Sequence, residues 1–81
     1  MKPRANQTWT RNSDGALFTV WANKKVWHRS AIQHCQVQTV TAYTTSPDAL
    51  EAYGDNGDIN GQPCHWADVK EDVFVFDFTM A

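Results

Sequence analysis

Two runs of aromatic and β-branched residues flanking Asn12-Ser13-Asp14-Gly15 constrain this chain more than any other feature. Asn6 to Arg11 reads as a short strand around Trp9. Ala16-Leu17-Phe18-Thr19-Val20-Trp21-Ala22 reads as a central strand, apolar on both faces, buried on one side and half covered on the other. Between them Gly15 can take positive φ at no steric cost, so a hairpin is expected. A chain that opens this way is committed to β structure.

The rest follows suit. Asn23-Lys24-Lys25 has the chemistry of a second tight turn. Val26 to Ile32 alternates loosely, and Cys35 to Thr45 is rich in Thr and Val. Val37 and Val40 fall on opposite faces of a regular strand, which calls for either a bulge between them or cover on both sides. One helix is expected, over residues 47–53: Ser46 at the N-cap, Pro47 at the first helical position, early acids at Asp48 and Glu51, and Gly54 to close it. Leu50 and Tyr53 would share its buried side. So short a helix persists only when packed. Asp55 to Pro63, with Asn56-Gly57 and Asn60-Gly61, reads as a mobile polar loop. Ala67 to Asp72 adds a helical turn with Asp68 and Glu71 exposed. Val73-Phe74-Val75-Phe76-Asp77-Phe78-Thr79 closes the chain as a strand with Phe74, Phe76 and Phe78 on one face. That ladder should dominate the core, each ring stabilising by about a few kcal/mol.

The chain of 81 residues and 9.2 kDa suffices for one domain, 1–81, with residues 1–5 a frayed arm. A hydrophobic fraction of 42% supplies one core and argues against disorder. No apolar run reaches the length of a membrane span or a secretory leader, so a cytoplasmic protein is expected. The expected fold is mainly β: a small antiparallel, partly open barrel of SH3-like or OB-like type, closure removing most exposed edges. Two cysteines, Cys35 and Cys64, suit a reducing compartment, and the sequence leaves open whether they are adjacent.

Candidate chemistry is sparse. His34-Cys35 and Cys64-His65 suggest a Cys2His2 zinc site, but strand neighbours point to opposite faces and the usual two-residue gap between paired ligands is missing. His28 beside either thiol has nothing local to activate it. Asn56-Gly57-Asp58-Ile59-Asn60-Gly61 fits half of a calcium loop, yet begins with Asn and places Ala67 where the bidentate Glu belongs. No phosphate loop or catalytic constellation is present, so no enzyme activity, metal or cofactor is expected.

Charge and indole carry the remaining signal. Residues 1–34 hold six Lys and Arg against Asp14 alone, and residues 35–81 hold Lys70 against eight acids. Either the two halves interleave into an ordinary mixed surface, or a basic face opposes an acidic one. Of the four tryptophans, Trp21 and Trp66 are expected in the core. Trp9 and Trp27 either cover the ends of the barrel or face outward beside cations as a contact surface.

The pattern Trp9, Asp14-Gly15, Phe18-Thr19-Val20, then Val26, His28 and Arg29, with Trp66-Ala67-Asp68 before Phe74 and Phe78, resembles a loose group of small β-barrel proteins encoded by phages and bacterial mobile elements. In that group W-x(4)-D-G-x-x-[FY]-x-V opens the barrel and an aromatic-rich strand ends it. The resemblance implies origin and fold; residues 46–63 lie outside it. The expected function is that of a non-enzymatic binding module acting on a host or self protein, with a homodimer open. Its contact surface would combine Trp27, Arg29, Lys24 and Lys25 with either Trp9 or the loop bearing Tyr53. The alternative is a single-stranded nucleic-acid-binding barrel using the basic aromatic half. A third reading is an acidic nucleic-acid mimic built on Asp55, Asp58, Asp68, Glu71 and Asp72.

Overall fold

The expected hairpin forms. In a computed structural model describing residues 2–29 and 34–81, β1 (Thr8–Arg11) pairs antiparallel with the start of β2 (Leu17–Arg29), Trp9 opposite Phe18. Asp14 caps the turn, its Oδ1 accepting from the Ala16 amide at 3.1 Å, while Gly15 sits at φ 75°. β3 (His34–Thr44) follows, then α1 (Pro47–Tyr53), β4 (Gly57–Ile59), β5 (Gln62–Lys70), α2 (Glu71–Asp77) and β6 (Phe78–Met80). The strands form one antiparallel sheet in the order β4-β5-β3-β2-β1-β6. Nothing pairs β4 with β6 among the described residues, so the sheet is open and ends in two short edge strands rather than closing as a barrel.

The chain does not turn at Asn23-Lys24-Lys25. β2 runs straight through, paired with β3 from Ala22↔Thr41 to Arg29↔His34. Asn23 spends its side chain on distant partners instead of a local turn: Nδ2 donates to the Pro3 carbonyl at 2.8 Å and to Glu71 Oε2 at 2.7 Å, and Oδ1 accepts from Gln38 Nε2 at 3.0 Å. The same contacts correct the frayed arm, since Pro3 is fully buried. The part of the expected third strand over Ser30–Ile32 lies outside the described residues. The bulge falls in β2, where the register skips between Val20 and Ala22, and not between Val37 and Val40. One extra residue reverses the alternation. Phe18, Val20 and Asn23 therefore share the core face, and Trp21, expected in the core, is left 58% exposed.

The C-terminal segment departs most from expectation. Residues 71–77 form a helix rather than a strand, and β5 extends as a strand where a helical turn was expected. Phe74 and Phe78 are four apart, one helical turn, and both are buried; Phe76, two from each, is 83% exposed. The two buried rings stack at 4.2 Å, Trp9 meets Phe74 edge-on at 5.2 Å, and Phe18 meets Phe78 at 5.3 Å. Together with Val20, Val40 and Ala42 these rings make the core. A strand could only have extended the sheet. A helix covers its bare apolar face and carries the chain from β5 across to β6, beside β1.

Residues 55–63 are likewise ordered. Asn60 and Gly61, at φ 51° and 81°, make the two-residue turn joining β4 to β5. Helix α1 has the expected bounds and closes at Gly54, whose amide donates to the Leu50 carbonyl at 2.8 Å. Its buried residue is Ala49; Leu50 is half-buried and Tyr53 is exposed.

Candidate interaction surface

Among the described residues no third strand pairs with β2 or β3 beyond Lys24↔Thr39: β5 stops at Lys70, opposite Thr39, and β1 lies at the far end of β2. The two strands continue together as a ribbon arm. On it, Lys25 and Trp27 share the face of Asn23, the face bearing the helices, while Lys24, Val26 and His28 take the other. Trp27 is 69% exposed, and Lys24 and Lys25 are exposed. Arg29 ends β2 and pairs with His34 through the backbone. No acidic residue occurs from Gly15 to Pro47, so the arm is cationic.

The structure does not bring all the expected contact residues together. Trp9 is 4% exposed, packed on Phe74 with its Nε1 donating to Gln7 Oε1 at 3.1 Å; it belongs to the core and leaves the surface set. Tyr53 is exposed but remote. It lies against His65, which pairs with Thr44, whereas Trp27 pairs with Gln36. Eight residues of β3 between those rungs amount to about 27 Å. Tyr53 has a local role instead: its hydroxyl donates to Asp14 Oδ2 at 2.5 Å, and the Arg11 guanidinium sits 4.1 Å over its ring and 4.8 Å over Phe18. Arg11 holds Asp14 bidentately at 3.0 and 2.9 Å. These bonds, led by the guanidinium, keep the Asp14 carboxyl well below the usual carboxylate range, and Asp14 in turn pushes the Tyr53 phenol up. The cluster staples α1 to the β1–β2 turn.

A second aromatic group, with Trp21 exposed and Tyr43 and Trp66 half-buried, does not follow from the sequence. On the sheet face away from the helices, Trp66 meets Trp21 edge-on at 5.8 Å and Tyr43 at 5.2 Å. Alternation along β3 and β5 does put Tyr43 and Trp66 on one face, but only the bulge adds Trp21. Trp21 and Trp27 thus sit on opposite faces, so one strand of nucleic acid cannot stack on both from one side.

The charges separate along the strand direction. The cationic arm extends one way; Asp55 and Asp58, on and before β4, lie at the other end of β5. Asp68 is on the open face, and Glu71 and Asp72 begin α2, where Glu71 accepts from Asn23. The five acids fall in three places and form no single track.

The potential metal ligands do not converge. Nine residues of β3, about 30 Å, separate Cys35 from Thr44, the partner of His65. The two Cys/His pairs therefore cannot share an ion, and both thiols are free. Among the described residues no group of three or more His, Cys, Asp or Glu could hold a metal. Asn56 turns its amide to the Trp66 backbone, accepting from the amide at 2.7 Å and donating to the carbonyl at 3.2 Å, not toward a shared cation. A cleft of about 540 Å³ opens between the β1–β2 turn and α2, bounded by Arg11, Asn12, Ala67, Val69, Phe76 and Asp77. Its cation is already taken by Asp14.

Among the described residues no helix is long and apolar enough to cross a membrane. No family model matches the chain, and neither a curated protein nor a solved structure matches it.

Proposed function

We propose that this chain is a small non-enzymatic binding module that engages a protein of its host, or of its own genetic element, through the β2–β3 arm. The observation that carries the reading is Trp27, 69% exposed on a two-stranded arm whose charged residues are all cationic. An exposed tryptophan flanked by cations is the composition of a protein hot spot. The arm's free edges add backbone donors and acceptors on which a partner strand can pair. The preferred partner presents an acidic rim, which the arm would approach with electrostatic steering. The resemblance to phage and mobile-element proteins supports an accessory role of this kind.

The test is affinity capture with the full chain from host lysate, with and without nuclease. A specific partner should survive nuclease treatment. It should be lost from a Trp27→Ala, Lys25→Glu variant whose melting temperature is unchanged. An unchanged partner list in that variant rejects the arm as the contact, and loss of the partner on nuclease treatment rejects a protein partner.

A further inference from the structure

The two helices cover one face of the sheet and leave the other bare, and the bare face is not uniformly apolar. Across it, successive rungs align Thr8, Thr19, Tyr43 and Trp66, then Thr41 with Asp68, then Lys24, Thr39 and Lys70. Trp21 joins Trp66 and Tyr43 at the first of these rungs. A shallow depression of about 360 Å³, bounded by Thr8, Leu17, Thr19 and Tyr43 among others, adjoins the rings. We infer that this face is a second binding site, for single-stranded nucleic acid, with Trp21, Tyr43 and Trp66 stacking bases and Lys24 and Lys70 meeting phosphates.

Three observations carry it. First, Trp66, the ring the other two meet, is held in place before any ligand arrives. Asn56 clamps the Trp66 backbone from both sides, and its indole rests on Gly57, where a side chain would have no room. Second, Trp21 is exposed although a core was available. The bulge that turns it outward also sets it against Trp66. Third, the cations stand off from the rings at a useful distance. Tyr43 and Thr39 are four residues apart on β3, about 13 Å, so a strand stacked on the rings carries its backbone onto the Lys24–Lys70 rung. Asp68, between them, accepts from Thr41 Oγ1 at 2.5 Å; its carboxylate disfavours a phosphate at that rung and can accept from an exocyclic base amine. A neutral sugar could use the rings and the threonines but has no call on the two lysines. That charge decides for a polyanion. Trp27 faces the other way, so the site shares Lys24 with the base of the arm but not the arm's indole.

The test is tryptophan fluorescence of the full chain, titrated at low salt with a thymidine oligomer of about a dozen nucleotides, within the span such surfaces accept. Saturable quenching at micromolar concentration is expected. Trp21→Ala, at an exposed position, should weaken binding by roughly five-fold or more, as loss of one stacking partner does. Lys70→Glu should weaken it and lower the salt slope by about one. Trp27→Ala should leave the affinity unchanged. Absence of saturable quenching overturns the site. So does equal affinity in Trp21→Ala, loss of affinity in Trp27→Ala, or competition by a neutral oligosaccharide.

Discussion

Gly57 lies directly beneath the Trp66 indole: a β-carbon there would fall 2.6 Å from both Cδ1 and Nε1. Its φ is ordinary, so the requirement is one of space and not of backbone conformation. Gly57→Ala must displace a rigid ring that also touches Trp21 and Tyr43. Overpacking of this kind costs about 1–3 kcal/mol. The expected outcome is a melting temperature lower by several degrees, with a change in the near-ultraviolet tryptophan signal. An unchanged spectrum would mean the ring does not rest there.

Phe74, Phe76 and Phe78 should separate cleanly under truncation. Phe74→Ala removes a fully buried ring stacked between Trp9 and Phe78 and should cost about 3–5 kcal/mol. Phe76→Ala, at an exposed helical position, should stay within about 0.5 kcal/mol. Urea unfolding of the two variants checks this. Equal losses would indicate a strand ladder in place of α2.

Acid should loosen the Asp14 staple. The Asp14 carboxyl titrates below its ordinary 3.8 in the folded chain, so the unfolded chain binds the proton first. The bonds therefore contribute fully at neutral pH, and their contribution falls as the pH drops below about 4. Stability measured by urea across that range should decline, and Asp14→Asn should show the shallower decline. Parallel slopes would place the acid sensitivity elsewhere.

The thiols should differ in reactivity. Cys64 is fully buried, and burial, with Asp58 and Asp55 nearby, pushes its thiol up, away from the reactive thiolate; Cys35 is half-buried on the arm. Native alkylation followed by mass spectrometry should label Cys35 well before Cys64, and unfolding should equalise them. Faster labelling of Cys64 would contradict its burial.

Short-range chemistry made part of this architecture readable in advance. The Asp14-Gly15 turn, the bounds of α1 between Pro47 and Gly54, and the strand of β3 follow from turn, helix-end and β-branched residues acting on their neighbours, although the Ser46 side chain makes no cap bond. What escaped depends on partners far along the chain. Asn23 looks like a turn residue until Pro3, Gln38 and Glu71 occupy its amide. The Phe74–Phe78 segment has a two-residue period that suits a strand. It becomes helical because the sheet needs a cover, and the four-residue spacing of its outer pair serves that need equally well. Trp27 was legible as a surface candidate because cations surround it. Tyr43 and Trp66 were not, since nothing local marks a ring as facing outward, and the bulge that adds Trp21 is a property of two strands in register.

The pairing of β1 with β6 also bears on how the molecule yields to tension. Thr8 and Ala81 are joined at 3.0 Å through Ala81 N–H and the Thr8 carbonyl, so the chain enters and leaves this ladder at the same end. Force applied between Thr8 and Ala81 loads the rungs Trp9↔Met80, Thr10↔Thr79 and Arg11↔Phe78 one after another, as a zip, and not all at once, as a shear. Once they part, Phe78 is drawn away from Phe18 and Phe74, and the aromatic stack comes apart from its rim.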